Sequence, residues 1–205
     1  MIRAFKYLAA IAAMTIGFTA FGRQETMQEA TTPPPAPSAE QAVVEFLRPS
    51  KMGGAIRCAI FDVTEGAPRL LGILRPKQKL VVAAPAGKRL YMITGENADF
   101  MEAELEAGKT FHAVAIARMG AWKARFSLIP LKLHPGEDEW NLKGKKAAEW
   151  LQRCKYMTMS QPAADQWATE NSPSILKKKD AYLPKFQEMD ESLKQYRRLI
   201  PEDGQ

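Results

Sequence analysis

The chain has only two histidines, and they are the first residues to consider for catalysis. His112 follows Phe111 in an apolar segment, and His134 comes just before an acidic one. Acid–base catalysis by either would need a nucleophile and a carboxylate within hydrogen-bonding distance in a cleft. No serine stands in a Gly-x-Ser-x-Gly elbow. The sequence favours a sheet-packed His112 and a solvated His134, and a small hydrolase using His112 or His134 is the enzymatic alternative.

The segment after His134 is a weak candidate for a metal site. It places Glu137, Asp138 and Glu139 near the imidazole, and carboxylates suit hard ions whereas imidazole suits zinc. The spacing is not that of a regular ligand set, and acidic residues are expected where a helix begins. We therefore interpret the segment as a solvated turn and expect neither a metal nor a cofactor.

Gly108-Lys109-Thr110 is similar to the end of a phosphate-binding loop. In such a loop, another glycine stands five residues before the glycine of the Gly-Lys-Thr segment, so that successive backbone amides point at phosphate. Ala103 occupies that position here. The segment also joins two predicted strands, whereas a phosphate loop joins a strand to a helix, so we predict a β-turn without a nucleotide.

The two cysteines, Cys58 and Cys154, are candidates for a disulfide if the protein is exported. The bridge would close a loop of 95 intervening residues, and a loop of this size contributes about 4–5 kcal/mol in the chain-entropy model. The alternative is two separately buried thiols, since Cys packs well as a small apolar residue. No nucleophile signature surrounds either cysteine, which disfavours a catalytic thiol.

The N-terminus is typical of a secretory signal. Arg3 and Lys6 precede an uncharged, mostly apolar run at 7–21, and small residues follow at 20 and 22. The run is short for a membrane span, which needs about 20 residues. We therefore predict an exported protein, periplasmic or secreted. Arg23 stands where a lipoprotein would have cysteine, so we predict no lipidation there, and an uncleaved signal is the remaining route to membrane association.

The net charge of +6 falls to +4 without Arg3 and Lys6. This excess is mild, and no basic stripe typical of nucleic-acid modules is visible. The run at 177–179 contains three lysines, for which a solvated helix face is favoured over contact with anionic lipid. We expect no nucleic-acid partner.

The pattern along the chain divides it into four parts. A signal peptide (1–22) is followed by a proline-rich linker (23–40), which lacks the apolar residues needed to bury itself. Residues 41–134 contain short runs of apolar or alternating apolar and polar residues, and turn residues separate these runs. This pattern predicts an antiparallel β-sandwich of seven or eight strands. The predicted strands are 42–47, 55–63, 70–74, 79–83, 89–94, 100–106, 110–119 and 122–128. Glu102, Glu104 and Glu106 share one face of the sixth, which we interpret as a solubilising edge.

Residues 135–205 are predicted to form two or three helices. One helix spans 142–157, and two more begin at Pro162 and Pro173, with Pro184 expected to kink or restart the last. Apolar residues in this last segment step by three and four and form a narrow stripe: Tyr182, Phe186, Met189, Leu193, Tyr196 and Ile200. The stripe either docks on the sandwich or forms a seam with a partner, and docking is favoured because fewer than three heptads follow Pro184.

The β region resembles an uncharacterised family of bacterial envelope and lipoprotein domains. The motifs that carry the resemblance are Val43-Val44-Glu45-Phe46-Leu47-Arg48-Pro49-Ser50, Gly53-Gly54, Ala84-Pro85-Ala86-Gly87-Lys88 and Gly108-Lys109-Thr110-Phe111. They cover residues 42–131 and leave out the tail. The resemblance implies a β-sandwich at the cell envelope without established catalytic residues.

Together these patterns predict a non-enzymatic envelope module that binds or scaffolds an unknown envelope protein or surface. Two alternatives remain open. One is the small hydrolase described above, and the other is a structural protein that forms homo-oligomers through its C-terminal stripe.

Overall fold

The computed structural model describes residues 26–52, 56–119, 124–134 and 138–205. The predicted signal peptide and Arg23 lie outside the described residues. Strands account for 43% of the residues and helices for 28%, so the prediction of a mainly β protein with a helical tail is confirmed at that level. No helix in the described ranges is both long and apolar enough to cross a membrane.

The described residues form eleven strands and three α-helices. The strands are β1 Met27–Glu29, β2 Gln41–Arg48, β3 Cys58–Asp62, β4 Arg69–Leu74, β5 Gln78–Pro85, β6 Gly87–Thr94, β7 Ala98–Leu105, β8 Thr110–Met119, β9 Ala124–Leu131, β10 Lys155–Met159 and β11 Arg198–Leu199. The helices are α1 Lys145–Arg153, α2 Gln161–Gln187 and α3 Glu191–Gln195, with 3-10 turns at Asp138–Trp140 and Pro201–Asp203.

The strands build two sheets that pack face to face. Sheet A has the order β1-β10-β5-β2-β8-β9, and sheet B has the order β11-β7-β6-β3-β4. Three pairs are parallel, namely β10 with β5, β2 with β8 and β11 with β7. The prediction of a purely antiparallel sandwich of seven or eight strands is therefore wrong, because β2 and β8 pair in parallel within the predicted set and because β1, β10 and β11 join the sheets from outside it.

The core lies between the sheets and is rich in aromatic side chains. Phe46 of sheet A and Tyr91 of sheet B meet edge to face, with ring centroids 5.1 Å apart, a favourable aromatic geometry. All five residues of β3 are buried, since sheet A covers one face of this strand and α2 covers the other. This explains why β3 is a continuous apolar run without alternation.

Helix α2 packs on the outer face of sheet B. Trp167 lies 6.4 Å from Phe61, and Phe186 lies 5.6 Å from Phe100, between ring centroids. The helix is continuous through Pro173 and Pro184, so the predicted start of a third helix at Pro173 is wrong. Its length suits the crossing of the sheet, and the apolar contacts offset the loss of hydrogen bonds at the prolines.

Helix α1 covers part of the outer face of sheet A. Its Ala147 and Trp150 belong to a second apolar cluster with Val114 and Leu131. The predicted helix at 142–157 is only partly correct, because the chain leaves the helix after Arg153 and forms β10. Strand β1, within the segment predicted as a linker, pairs with β10 at the edge of sheet A.

Candidate functional site

His112 lies in a row of polar side chains across the middle of sheet A. Glu45 of β2 stands between Lys79 of β5 and His112 of β8. Its Oε2 atom is 3.3 Å from Lys79 Nζ and 3.6 Å from His112 Nδ1. The side-chain amide of Gln205 lies 3.3 Å from His112 Nε2. All three strand residues have mostly buried side chains, so the row is a buried polar network.

This row has a histidine and a carboxylate but no activated nucleophile. Burial raises the pKa of Glu45, but the close approach of His112 at 3.6 Å and the charge of Lys79 outweigh burial and leave the pKa below its ordinary value. The nearby Cys154 has its pKa raised by burial to about 11, so its thiol is protonated at neutral pH and is a poor nucleophile. Within the described part of the chain, no hydroxyl group hydrogen-bonds to His112.

The second histidine, His134, is exposed at the end of β9. Residues 135–137, which include the predicted ligand Glu137, lie outside the described residues. Glu139 forms an ion pair with Lys146 at 2.6 Å. Among the described side chains, no group of three His, Cys, Asp or Glu is arranged to hold a metal ion.

Gly108-Lys109-Thr110 holds the C-terminal residues in the structure. Gly108 has a φ of +80°, a conformation that glycine adopts at little cost. Lys109 Nζ donates to the carbonyl of Pro201 at 3.1 Å. The backbone of Thr110 exchanges two hydrogen bonds with Gln205, at 2.8 and 3.1 Å. The motif is therefore a β-turn that clamps the tail onto sheet A.

The two cysteines are both buried and free, and Arg48 lies between them. The guanidinium Nη1 of Arg48 is 3.9 Å from Cys58 Sγ and donates to the Leu74 carbonyl at 2.8 Å. The Cys154 thiol instead lies against the backbone of Arg48. The thiols are thus at opposite ends of one arginine, so a disulfide would require local movement, and the bridge stays a prediction.

The predicted apolar stripe divides into two halves. The half that packs against the core comprises Tyr182, Phe186 and Met189. The half that is exposed comprises Leu193, Tyr196 and Ile200, with 55%, 62% and 37% of their surfaces accessible. The stripe is not one helical seam, because α2 ends at Gln187 and the short α3 follows a break capped by Asp190.

A groove of about 490 Å³ lies on the outer face of sheet B. It lies toward the start of β6 and the end of β7, away from the contact between Phe100 and Phe186. Its lining residues are Thr64, Lys88, Arg89, Leu90, Glu102, Ala103, Glu104 and Arg198. The groove is therefore built by the β6–β7 hairpin and is bounded by β11 from the tail.

Two arginines of the groove are held by carboxylates. Arg198 binds Glu102 on the neighbouring strand through two of its nitrogens and binds Glu191 at 2.6 Å. These hydrogen bonds raise the pKa of Arg198. Arg89 is 3.9 Å from the buried Asp62. The hydrogen bonds of Arg198 fix its side chain in place, so the groove has a defined wall at β11.

Two other charges of the groove remain available. Lys88 and Glu104 are register partners on β6 and β7, and both are exposed. Neither forms an ion pair within 4.0 Å with another described residue. Leu90 lies beside them, partly buried on the same face. The groove thus offers one free cation, one free anion and an apolar floor, within the described residues.

Sequence reasoning placed Glu102 and Glu104 on one face but missed the groove that they line. Glu106, the third of the set, lies beyond β7 and pairs with Lys109. The arginine wall was missed because Arg198 belongs to a two-residue strand. No family model matches the chain, and a search of curated proteins found none with significant similarity.

Proposed function

We propose that the protein is an exported, non-enzymatic envelope module that binds a protein partner through the groove on sheet B. The observation that carries the proposal is the groove itself, in which Lys88 and Glu104 remain available for a ligand. Export is inferred from the signal-like N-terminus, and the resemblance of residues 42–131 to envelope domains agrees with it.

The lining of the groove favours a polypeptide over a small molecule. Pockets for small ligands are mostly apolar and enclosed, whereas this groove is open and carries both signs of charge. A peptide segment with an acidic and a basic residue can pair with Lys88 and Glu104 while an apolar side chain contacts Leu90. Charge pairs at such a surface determine partner choice and association rate more than affinity.

The test is site-specific photo-crosslinking in cells that produce the full chain. A photoreactive residue replaces Lys88 in the groove, and a second variant carries it at Lys143, an exposed lysine outside the groove. We expect one adduct of defined mass from position 88. A photoreactive residue at Leu90 should give an adduct of the same partner, and the charge swap Lys88→Glu with Glu104→Lys should abolish the adduct at position 90 because both ligand contacts become repulsive.

Equal adducts from positions 88 and 143 would refute the proposal, as would an adduct at position 90 that survives the charge swap. The melting temperature of the swapped variant must match that of the unchanged protein. This control excludes loss of the fold as the cause, since exposed charges contribute little to stability.

The exposed half of the stripe supports oligomerisation as a second candidate function. Leu193 lies on α3, Tyr196 directly follows this helix, and more than half of the surface of each residue is exposed. Light scattering should give the mass of a multimer for the unchanged protein and of a monomer for Leu193→Ser with Tyr196→Ser. A monomeric mass for both proteins would exclude this function.

A further inference from the structure

Asp99 is a buried carboxylate near the start of β7 that binds two arginines at once. Nη2 of Arg118, on β8, is 3.2 Å from one oxygen of Asp99. Arg197, immediately before β11, hydrogen-bonds to the other oxygen. The single negative charge of Asp99, on β7 of sheet B, thus lies between the positive charges of Arg118 and Arg197, close to the β8–β9 hairpin.

A third arginine lies next to this pair. Arg125 of β9 is the register partner of Arg118 on β8. Like charges directly opposite each other on antiparallel strands destabilise the pair. Arg125 is exposed and has no ion-pair partner in the described part of the chain. Burial lowers the pKa of Arg118, and the charges of Arg197 and Arg125 lower it further although Asp99 opposes them.

The neighbouring turn does not change the balance. Lys178 of α2 donates to the carbonyl of Gly95 at 2.6 Å and adds a positive charge. Glu96, in the same turn, adds a negative one. Among the four side chains of this cluster, the three arginines and Asp99 leave an excess of two positive charges.

We propose that Arg118, Arg125 and Arg197 form a binding site for a phosphate group. The guanidinium fork matches two phosphate oxygens at a time, and arginine is the side chain best suited to this geometry. The dianionic charge of a phosphate monoester equals the local excess of positive charge. Asp99 holds Arg118 and Arg197 in position, so the ligand does not have to order them. The site shares no residue with the groove on sheet B.

The phosphate group can come from a soluble compound or from a lipid headgroup, and two probes distinguish these sources. The first is inorganic phosphate, titrated at constant ionic strength against chloride, with the arginine Nε–Hε resonances followed by NMR. The second is sedimentation with vesicles of phosphatidylcholine alone or with phosphatidic acid added, because the headgroup of phosphatidic acid is a phosphate monoester. Each is applied to the unchanged protein, to Arg125→Gln, and to Arg153→Gln as a control that removes the same charge from the exposed end of α1.

We expect saturable shifts of the three arginine resonances, or retention by the vesicles that contain phosphatidic acid. Arg125→Gln should weaken the response at least about tenfold, because a charge-assisted hydrogen bond is lost, and Arg153→Gln should leave it unchanged. A response to phosphate alone identifies a soluble ligand, and a response to vesicles alone identifies a lipid. The proposal is overturned if phosphate acts no differently from chloride and neither vesicle binds, or if both variants weaken binding equally.

Discussion

Replacing Phe186 by alanine tests how the tail is attached to the sandwich. The side chain is 4% exposed, and its ring lies 5.6 Å from that of Phe100 on β7. Removal of a buried phenylalanine costs about 3–5 kcal/mol, and the lower end applies because α2 lies on an outer face that can partly collapse. The matched change is Tyr196→Ala, in the same predicted stripe but 62% exposed. An exposed substitution of this kind changes stability by less than about 0.5 kcal/mol.

Urea unfolding followed by tryptophan fluorescence and far-UV circular dichroism measures both changes. A loss of about 3 kcal/mol with a slope of about 2–3 kcal/mol per molar urea moves the midpoint down by about 1–1.5 M. The comparison requires that the dependence of the free energy of unfolding on urea is the same in all variants. It also requires that fluorescence and circular dichroism give the same unfolding transition. If Phe186→Ala and Tyr196→Ala shift the midpoint equally, the division of the stripe into a docked and an exposed half is wrong.

Three further predictions concern other buried groups. The pKa of Glu45 is lower in the folded state than in the unfolded state. The carboxylate therefore contributes to the free energy of unfolding at pH values above the ordinary carboxyl pKa, and this contribution is lost as the pH falls. In thermal melts at decreasing pH, Glu45→Gln should therefore lose less stability than the unchanged protein. Burial also raises the pKa of Cys58 to about 11. A thiol reagent at pH 8 should therefore label neither Cys58 nor Cys154 in the folded protein, and it should label both in guanidinium. If neither cysteine is labelled in guanidinium, the two form a disulfide. Gly204→Ala should cost about 1–3 kcal/mol in thermal unfolding, because the new Cβ would lie 2.7 Å from Phe111 Cζ.

The strands within 41–134 could be predicted because they are short apolar or alternating runs separated by turn residues. All eight predicted strands are present as β2 to β9, and the one at 110–119 has the predicted bounds. The short strands β1, β10 and β11 could not be found, since two to five residues give too little periodicity. Parallel pairing of β2 with β8 was also out of reach, because alternation specifies which face is buried and not the direction of the neighbour.

The helical tail shows where local rules are overridden. Pro173 predicts the start of a new helix and Pro184 predicts a kink or a restart, yet α2 is one helix through both residues to Gln187, because its contacts with sheet B outweigh the lost backbone hydrogen bonds. The lysine run at 177–179 was interpreted as a solvated face. Lys178 and Lys179 instead donate to the carbonyls of Gly95 and Gly66, both at 2.6 Å. Such long-range partners cannot be derived from a single sequence.

Part of the groove was within reach of the sequence, and part was not. A tight turn at residues 95–97 fixes the register of the β6–β7 hairpin and places Lys88 opposite Glu104. That pairing follows once both strands are predicted. The wall at Arg198 does not follow, because it depends on a parallel contact between β11 and β7 across almost a hundred residues. The tail therefore completes the groove as well as the fold, and a truncation before Arg198 would remove both together. Point substitutions at Lys88 and Glu104 are the way to separate binding from folding, because these two side chains are exposed and unpaired among the described residues.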